Sequence, residues 1–246
     1  MLHGIIVIHG LYHGFVHLKE RTLPFGEPAR IIDLAGYGRY AATSSSHSLP
    51  AQAEHVIDEM DRYGFATATL VGHSVGGVVA MLAAARRPGR IRSVVNVEGN
   101  FTVDDAFWSA KLAAMTPAEV ELQLAATMSD LEAWLRAQRI APTPASLTAA
   151  RRMFEAQPAA TVHAVAQSVV TVTSRPDYLA TVDEVLDSGL PVHLFAGERS
   201  RADWHVPESV VRRAAGFTVQ EGVGHLMPLE APDRFLELLA PLTATG

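Results

Sequence analysis

Short apolar runs rich in β-branched residues recur along the chain, at Gly4 to Ile8, Arg30 to Asp33, Ala68 to Val71, Ser93 to Val97, Val192 to Ala196 and Phe217 to Gln220. Each run is nearly continuous in its hydrophobicity rather than alternating, which is the pattern of a strand covered on both faces. Between them, Leu49 to Tyr63, Gly76 to Arg87, Glu208 to Ala215 and Pro232 to Leu239 carry helical spacing, the second closed by Pro88-Gly89. Buried strands alternating with crossover helices predict an α/β fold: a mostly parallel six-stranded sheet flanked by helices.

The rhythm breaks between Gly99 and Ala180, a stretch rich in Ala, Leu and Gln with no convincing strand until its last portion. Thr116-Pro117-Ala118-Glu119 combines an N-cap residue, a proline at the first helical position and a Glu placed for a capping box. Pro142, Pro144, Pro158 and Pro176 then divide the stretch into short helices. The expected organisation is an α/β core of residues 1–98 and 181–246 carrying an inserted helical cap, residues 99–180. So long an excursion between two core strands suits a lid over a site.

Composition narrows the function. The 246 residues, 48% hydrophobic and 19% charged, can bury one substantial core, and no linker or low-complexity stretch divides them. A net charge of -6, from 20 basic and 26 acidic residues mixed along the chain, offers no basic stripe for a row of phosphates, so no nucleic acid partner is expected. The absence of cysteine excludes a disulfide framework, a thiol nucleophile and a Cys-ligated zinc. No window reaches the roughly 18 apolar residues of a membrane span, and Met1 to Gly10 is too short and lacks the basic leader of a secretory signal. A cytoplasmic protein without a membrane partner is the expectation.

Three loops carry candidate chemistry. Val71-Gly72-His73-Ser74-Val75-Gly76-Gly77 places a G-x-S-x-G sequence between a predicted strand and a predicted helix. A serine on such a sharp turn is presented out of the sheet, so Ser74 is the candidate nucleophile, and the Val75 N–H at the helix N-terminus is a candidate oxyanion donor. Ile8-His9-Gly10-Leu11 can direct the Leu11 N–H to the same oxygen, completing an oxyanion hole. His9 and His13 as a metal pair are disfavoured, because Gly10 and Gly14 indicate a loop rather than the helix that would align them, and no metal is expected. His9, Tyr12, His73 and Trp108 are the candidate substrate-binding residues, with His13 at the pocket mouth or covering the loop. The third loop is Gly222-Val223-Gly224-His225. A neutral serine needs a base within reach, imidazole titrates in the useful range, and His225 lies beyond the last strand as the order Ser, acid, His requires.

With His9-Gly10, Asp33-Leu34-Ala35-Gly36-Tyr37-Gly38, Gly72-His73-Ser74-Val75-Gly76-Gly77 and Gly224-His225 in place, the chain resembles the α/β-hydrolase family, in its capped small-molecule branch. The resemblance spans nearly everything outside the cap. It implies a serine nucleophile at Ser74, an oxyanion hole at Val75 and Leu11, a base at His225 and hydrolysis without a cofactor. Members usually carry two more strands before the His-Gly turn, so this sheet resembles a six-stranded minimal version whose first edge is unprotected or partner-covered, and a homodimer is a candidate assembly.

In many members the acid is an Asp three residues after the Gly closing Val192-His193-Leu194-Phe195-Ala196-Gly197, and that position here is Ser200. Serine cannot hold charge against an imidazolium, so the acid must come from elsewhere. Glu98, Glu198 and Asp203 all satisfy the chain order. Glu98 is favoured because a carboxylate in Asn96-Val97-Glu98-Gly99-Asn100 would be costly to bury without a partner such as His225; it also resembles the alternative acid position of haloalkane dehalogenases.

The expected reaction is acyl transfer on a small molecule with a hydrophobic acyl or alcohol part, releasing a carboxylic acid. Serine at position 74 argues against the dehalogenase and epoxide hydrolase chemistries of the family, which the resemblance associates with aspartate. Ester, thioester, lactone and C–C cleavage remain open, as do a hydroxynitrile-lyase-type reaction and a ligand-binding relative without activity. Phe101, Phe107, Trp108, Met115, Met128, Trp134, Met153 and Phe154 supply apolar surface in the cap, at spacings that also suit its own core.

Overall fold

The computed structural model describes residues 2–43 and 46–244; Met1, which begins the apolar N-terminal run, and Ser44, Ser45, Thr245 and Gly246 lie outside the described residues. Six strands, β1 (His3–Ile8), β2 (Ala29–Ile31), β3 (Thr67–His73), β4 (Ile91–Val97), β5 (Val192–Gly197) and β6 (Gly216–Gln220), form one sheet in the order β2-β1-β3-β4-β5-β6. Every neighbouring pair is parallel.

Alternate residues of these strands enter separate cores, which is why each reads as an uninterrupted apolar run. Ile6, Ile8, Leu70, Val94 and Leu194 face one core, while Ile5, Val7, Val71, Val95 and Phe195 face the other. The first is covered by α1 (Leu49–Arg62) and α2 (Val75–Arg86), the second by α11 (Pro232–Thr243) through Phe235, Leu236 and Leu239. Helix α2 is buried from Val75 to Ala84 because sheet, α1 and a later helix enclose it, and so it is apolar all round.

Between β4 and β5 the chain forms α3 (Phe107–Ala113), α4 (Pro117–Ser129), α5 (Leu131–Ala137), α6 (Pro144–Glu155), α7 (Ala159–Thr173) and α8 (Pro176–Asp187). Prolines sit where the helices begin: Pro117, Pro144 and Pro176 within the first turns and Pro158 at an N-cap. Thr116 Oγ1 accepts from the Glu119 N–H at 3.3 Å, and Glu119 Oε2 accepts from the Thr116 N–H at 2.7 Å. The strand-like end of the stretch is helical instead: in α7, Val162, Val165, Ala166, Val169 and Thr173 form one buried stripe, and this packing outweighs β-propensity. Residue 180 falls inside α8, which packs against α2 as well as α7. Helices α9 (Glu208–Arg213) and α10 (Met227–Glu230) complete the chain. Among the described residues no helix is long and apolar enough to cross a membrane.

Candidate active site

Because all the strands are parallel, their carboxyl ends share one edge of the sheet, and the loops leaving β1, β3, β4, β5 and β6 meet there. Ser74 occupies the turn from β3 into α2 with φ 54° and ψ -123°, a conformation that costs a residue with a side chain about 1–3 kcal/mol. The turn closes only because of its glycines: a Cβ on Gly72 would overlap the Gly76 carbonyl, and one on Gly76 would overlap the carbonyl oxygen of Ile8. Hydrogen bonds fix the strained residue, Ser74 N–H donating to Val97 O at 2.9 Å and Gly77 N–H to Ser74 O at 2.8 Å. The β1 loop approaches so closely that a Cβ on Gly10 would lie 3.1 Å from Ser74 Cβ. Among the described residues the buried amide N–H groups of Leu11 and Val75 have no hydrogen-bond partner.

Glu98 turns off the end of β4 at φ 45°, in a bend held by Asn96 Oδ1, which accepts from Gly99 N–H at 2.7 Å. Its carboxylate is buried and fully used. Oε2 lies 2.6 Å from His225 Nδ1, and Oε1 accepts from Ser200 Oγ at 2.6 Å and from Gly197 N–H at 2.8 Å. Burial would push this carboxyl up, but the bonds from His225, Ser200 and Gly197 outweigh it and hold Glu98 below the ordinary carboxylate value. An ionised carboxylate only accepts, so in this contact His225 Nδ1–H is the donor and Nε2 is the ring nitrogen left for other partners.

The loop bearing His225 is pinned from two sides. Arg199 binds Glu230 of α10 at 2.7 and 2.9 Å and reaches the Gly222 carbonyl, while Glu230 Oε2 accepts from Gly224 N–H at 3.0 Å. His73 Nε2 donates to the His225 carbonyl at 2.8 Å, and burial beside the His225 ring pulls His73 down to about 3, so it is neutral. Nothing in the sequence marks Arg199 and Glu230, whose pairing depends on the fold. Ser200 had a signal, its position, but as a missing acid rather than as a donor to the acid that is present.

The other predicted residues separate clearly. Glu198 is exposed and accepts from Gly222 N–H at 2.8 Å, and Asp203 is exposed in a short 3-10 turn; neither contacts His225. Tyr12, His73, Trp108, Leu11, Ser74 and His225 all line one cavity of about 70 Å³. His9 does not. It is fully buried behind that cavity, Nδ1 donating to the Gly10 carbonyl at 2.7 Å and Nε2 accepting from Leu34 N–H at 3.2 Å, which corrects its expected substrate contact. His13 is likewise buried, 2.7 Å from Asp33, and lies neither at a mouth nor on the surface. Ser74 Oγ makes no hydrogen bond among the described residues, although Ser74 and His225 line the same cavity.

A family model described as "Alpha/beta hydrolase family" matches residues 5–238. Lipase LipV of Mycobacterium tuberculosis (strain ATCC 25618 / H37Rv) is 30% identical over 104 residues, 42% of this chain and 37% of that lipase. The match thus covers little more than a third of the lipase. Among solved structures, a thermophilic esterase from Thermogutta terrifontis superimposes with TM-score 0.69 at 19% identity, covering 98% of this chain and 89% of the esterase. The N-acyl homoserine lactonase AidH in complex with N-butanoyl homoserine gives TM-score 0.68 at 18% identity, with 98% and 89% covered. At these identities the superpositions establish the shared fold.

Proposed function

The chain belongs to the alpha/beta hydrolase family, and from that premise we propose that it is a serine hydrolase cleaving a carboxylic ester, thioester or lactone of a small molecule. Ser74 Oγ attacks the carbonyl carbon as His225 Nε2 takes its proton; Glu98 steadies the imidazolium, and the Leu11 and Val75 amides receive the oxyanion. His225 returns the proton to the departing oxygen or sulfur, leaving an acyl-enzyme. Water, deprotonated by His225, then releases the acid and restores Ser74. The helices between β4 and β5 act as the cap.

The observation that carries this reading is the 2.6 Å contact of the buried Glu98 carboxylate with His225 Nδ1, in a ring that opens onto the same cavity as Ser74. It orients the base and selects its tautomer, as a triad acid must. The test is labelling with a fluorophosphonate followed by mass spectrometry. Modification of Ser74 that disappears in His225→Ala is the expected result, and a folded protein unlabelled at Ser74 contradicts the proposal.

A further inference from the structure

Two hollows adjoin in this half of the molecule. The chamber at Ser74 and His225 has a volume of about 70 Å³, whereas a second hollow, between the helices of the insertion, has about 780 Å³. Tyr12 and Trp108 line both, their rings 6.2 Å apart. Beyond them the larger hollow has aromatic side chains on its wall, with Phe154 against Tyr12 at 4.9 Å and Trp134 edge-on to Phe154 at 4.9 Å, and carries the polar Lys111, Gln123, Asp130 and Gln138 as well.

Resting on the serine-hydrolase reading, we infer that the substrate is an ester of a short acyl group with a larger apolar alcohol, divided at Tyr12 and Trp108: acyl group in the chamber, alcohol in the outer hollow. The acyl group stays bonded to Ser74 after the first step, so it occupies the space beside the Ser74 and Leu11 backbone. The alcohol must depart before water attacks, so it occupies the side with room to leave. Ser74 Oγ forms the new C–O bond, the bond from carbonyl carbon to alcohol oxygen breaks, and the Ser74 proton passes through His225 to that oxygen.

The chamber contains its own argument against a long acyl chain. At about 70 Å³ it has room for a short acyl group and the water that deacylation needs, and for little more. The outer hollow presents broad aromatic faces suited to a flat or branched apolar group.

The test is a series of 4-nitrophenyl esters from acetate to octanoate, run with fluorophosphonate labelling of the same preparation. Because pockets discriminate by about tenfold or more per misfitting methylene, kcat/KM is expected to fall at least about tenfold between butanoate and hexanoate. Trp108→Ala joins the two hollows and should move the optimum to longer acyl chains; Trp108→Phe, with most of the wall kept, should move it less. On the alcohol side, Trp134→Ala should lower the ratio of kcat/KM for 2-naphthyl acetate to that for ethyl acetate by about tenfold, a comparison in which leaving-group reactivity cancels. Ser74 labelled but with a flat profile, or one favouring octanoate in the unaltered protein, overturns the division at Trp108. Unlabelled Ser74 and no hydrolysis of any ester overturns the serine-hydrolase reading itself.

Discussion

Among the described residues two buried carboxylates pair with histidine at nearly equal length, Glu98 with His225 at 2.6 Å and Asp33 with His13 at 2.7 Å. Distance does not tell them apart; surroundings do. Asp33 also receives Lys19, and Arg39 at 3.7 Å, so its charge is already answered by cations. Burial alone would raise its carboxyl, but the bonds from His13 and Lys19 hold it far below the ordinary range. His13 is wholly enclosed, stacked on His9 at 4.0 Å, and burial lowers it too, so it remains neutral and out of reach of substrate. Glu98 has no lysine or arginine partner among the described residues, and the side chain of His225 is 39% exposed. One pair therefore braces the loop carrying Leu11, while the other opens onto the cavity beside Ser74, where the proposed mechanism needs a base.

The largest expected effect is that of Ser74→Ala, which should lower kcat for aryl acetate hydrolysis by about 10⁴-fold or more with little change in thermal stability. The comparison of the two pairs comes next. Glu98→Gln should reduce kcat by about 10²–10⁴-fold, since the amide can favour the wrong imidazole tautomer. Asp33→Asn should instead be read mainly in denaturation, losing about 3–5 kcal/mol as a buried ionic network is broken, with kcat near that of the unaltered protein. Equal losses of kcat in the two variants would erase the distinction, and an inactive Asp203→Asn would relocate the acid.

A smaller effect separates the groups by pH. His73 is held at about 3, far below the 6.5 of a free histidine, so the unfolded chain binds its proton first. Stability should therefore fall as pH drops from about 6.5 toward 3, by about 1.4 kcal/mol per unit from this residue. Glu98, depressed in the folded state, contributes stability that is complete above the unfolded carboxyl value near 4.5 and is lost as pH falls through its lower folded value. Denaturant midpoints at pH 7, 5.5 and 4 would show the decline beginning above pH 5 if His73 and the other depressed histidines, His9, His13 and His17, are buried neutral; a flat profile down to pH 5 would contradict this for all four.

Much of this was legible in the chain. Continuous apolar runs at Gly4 to Ile8 and Ser93 to Val97 state a sheet buried on both faces, and Gly72, Ser74 and Gly76 state a sharp turn, because these are local requirements on the backbone. The insertion was harder: α7 is written in valine and threonine, and only its buried stripe, supplied by the rest of the fold, makes it a helix. His9 misled for the same reason. A histidine beside a candidate oxyanion loop looks like a ligand-binding group until Gly10 and Leu34 are seen to use both of its nitrogens. Hydrogen bonds between residues a hundred positions apart leave no mark in sequence, and Ser200 is the clearest case.

Ser200 offers the finest test of the comparison. Asp33 is surrounded by charged donors, but Glu98 depends on neutral ones, and the Ser200 hydroxyl at 2.6 Å is the shorter of the two on Oε1. Hydrogen bonds to a charged group are worth about 1.5–3 kcal/mol, of which only the part that aims Oε2 at His225 bears on the rate. Ser200→Ala should thus lower kcat by about tenfold, leave KM nearly unchanged, and move Glu98 upward toward the ordinary carboxyl value. That upward movement shrinks the gap between its folded and unfolded values, so the stability lost below pH 4.5 should be smaller in the variant. Ser200→Thr, which keeps the hydroxyl, should restore both readings. If Ser200→Ala instead changed Tm but neither kcat nor the acid profile, the serine would be a packing residue and Gly197 alone would be enough to hold the acid.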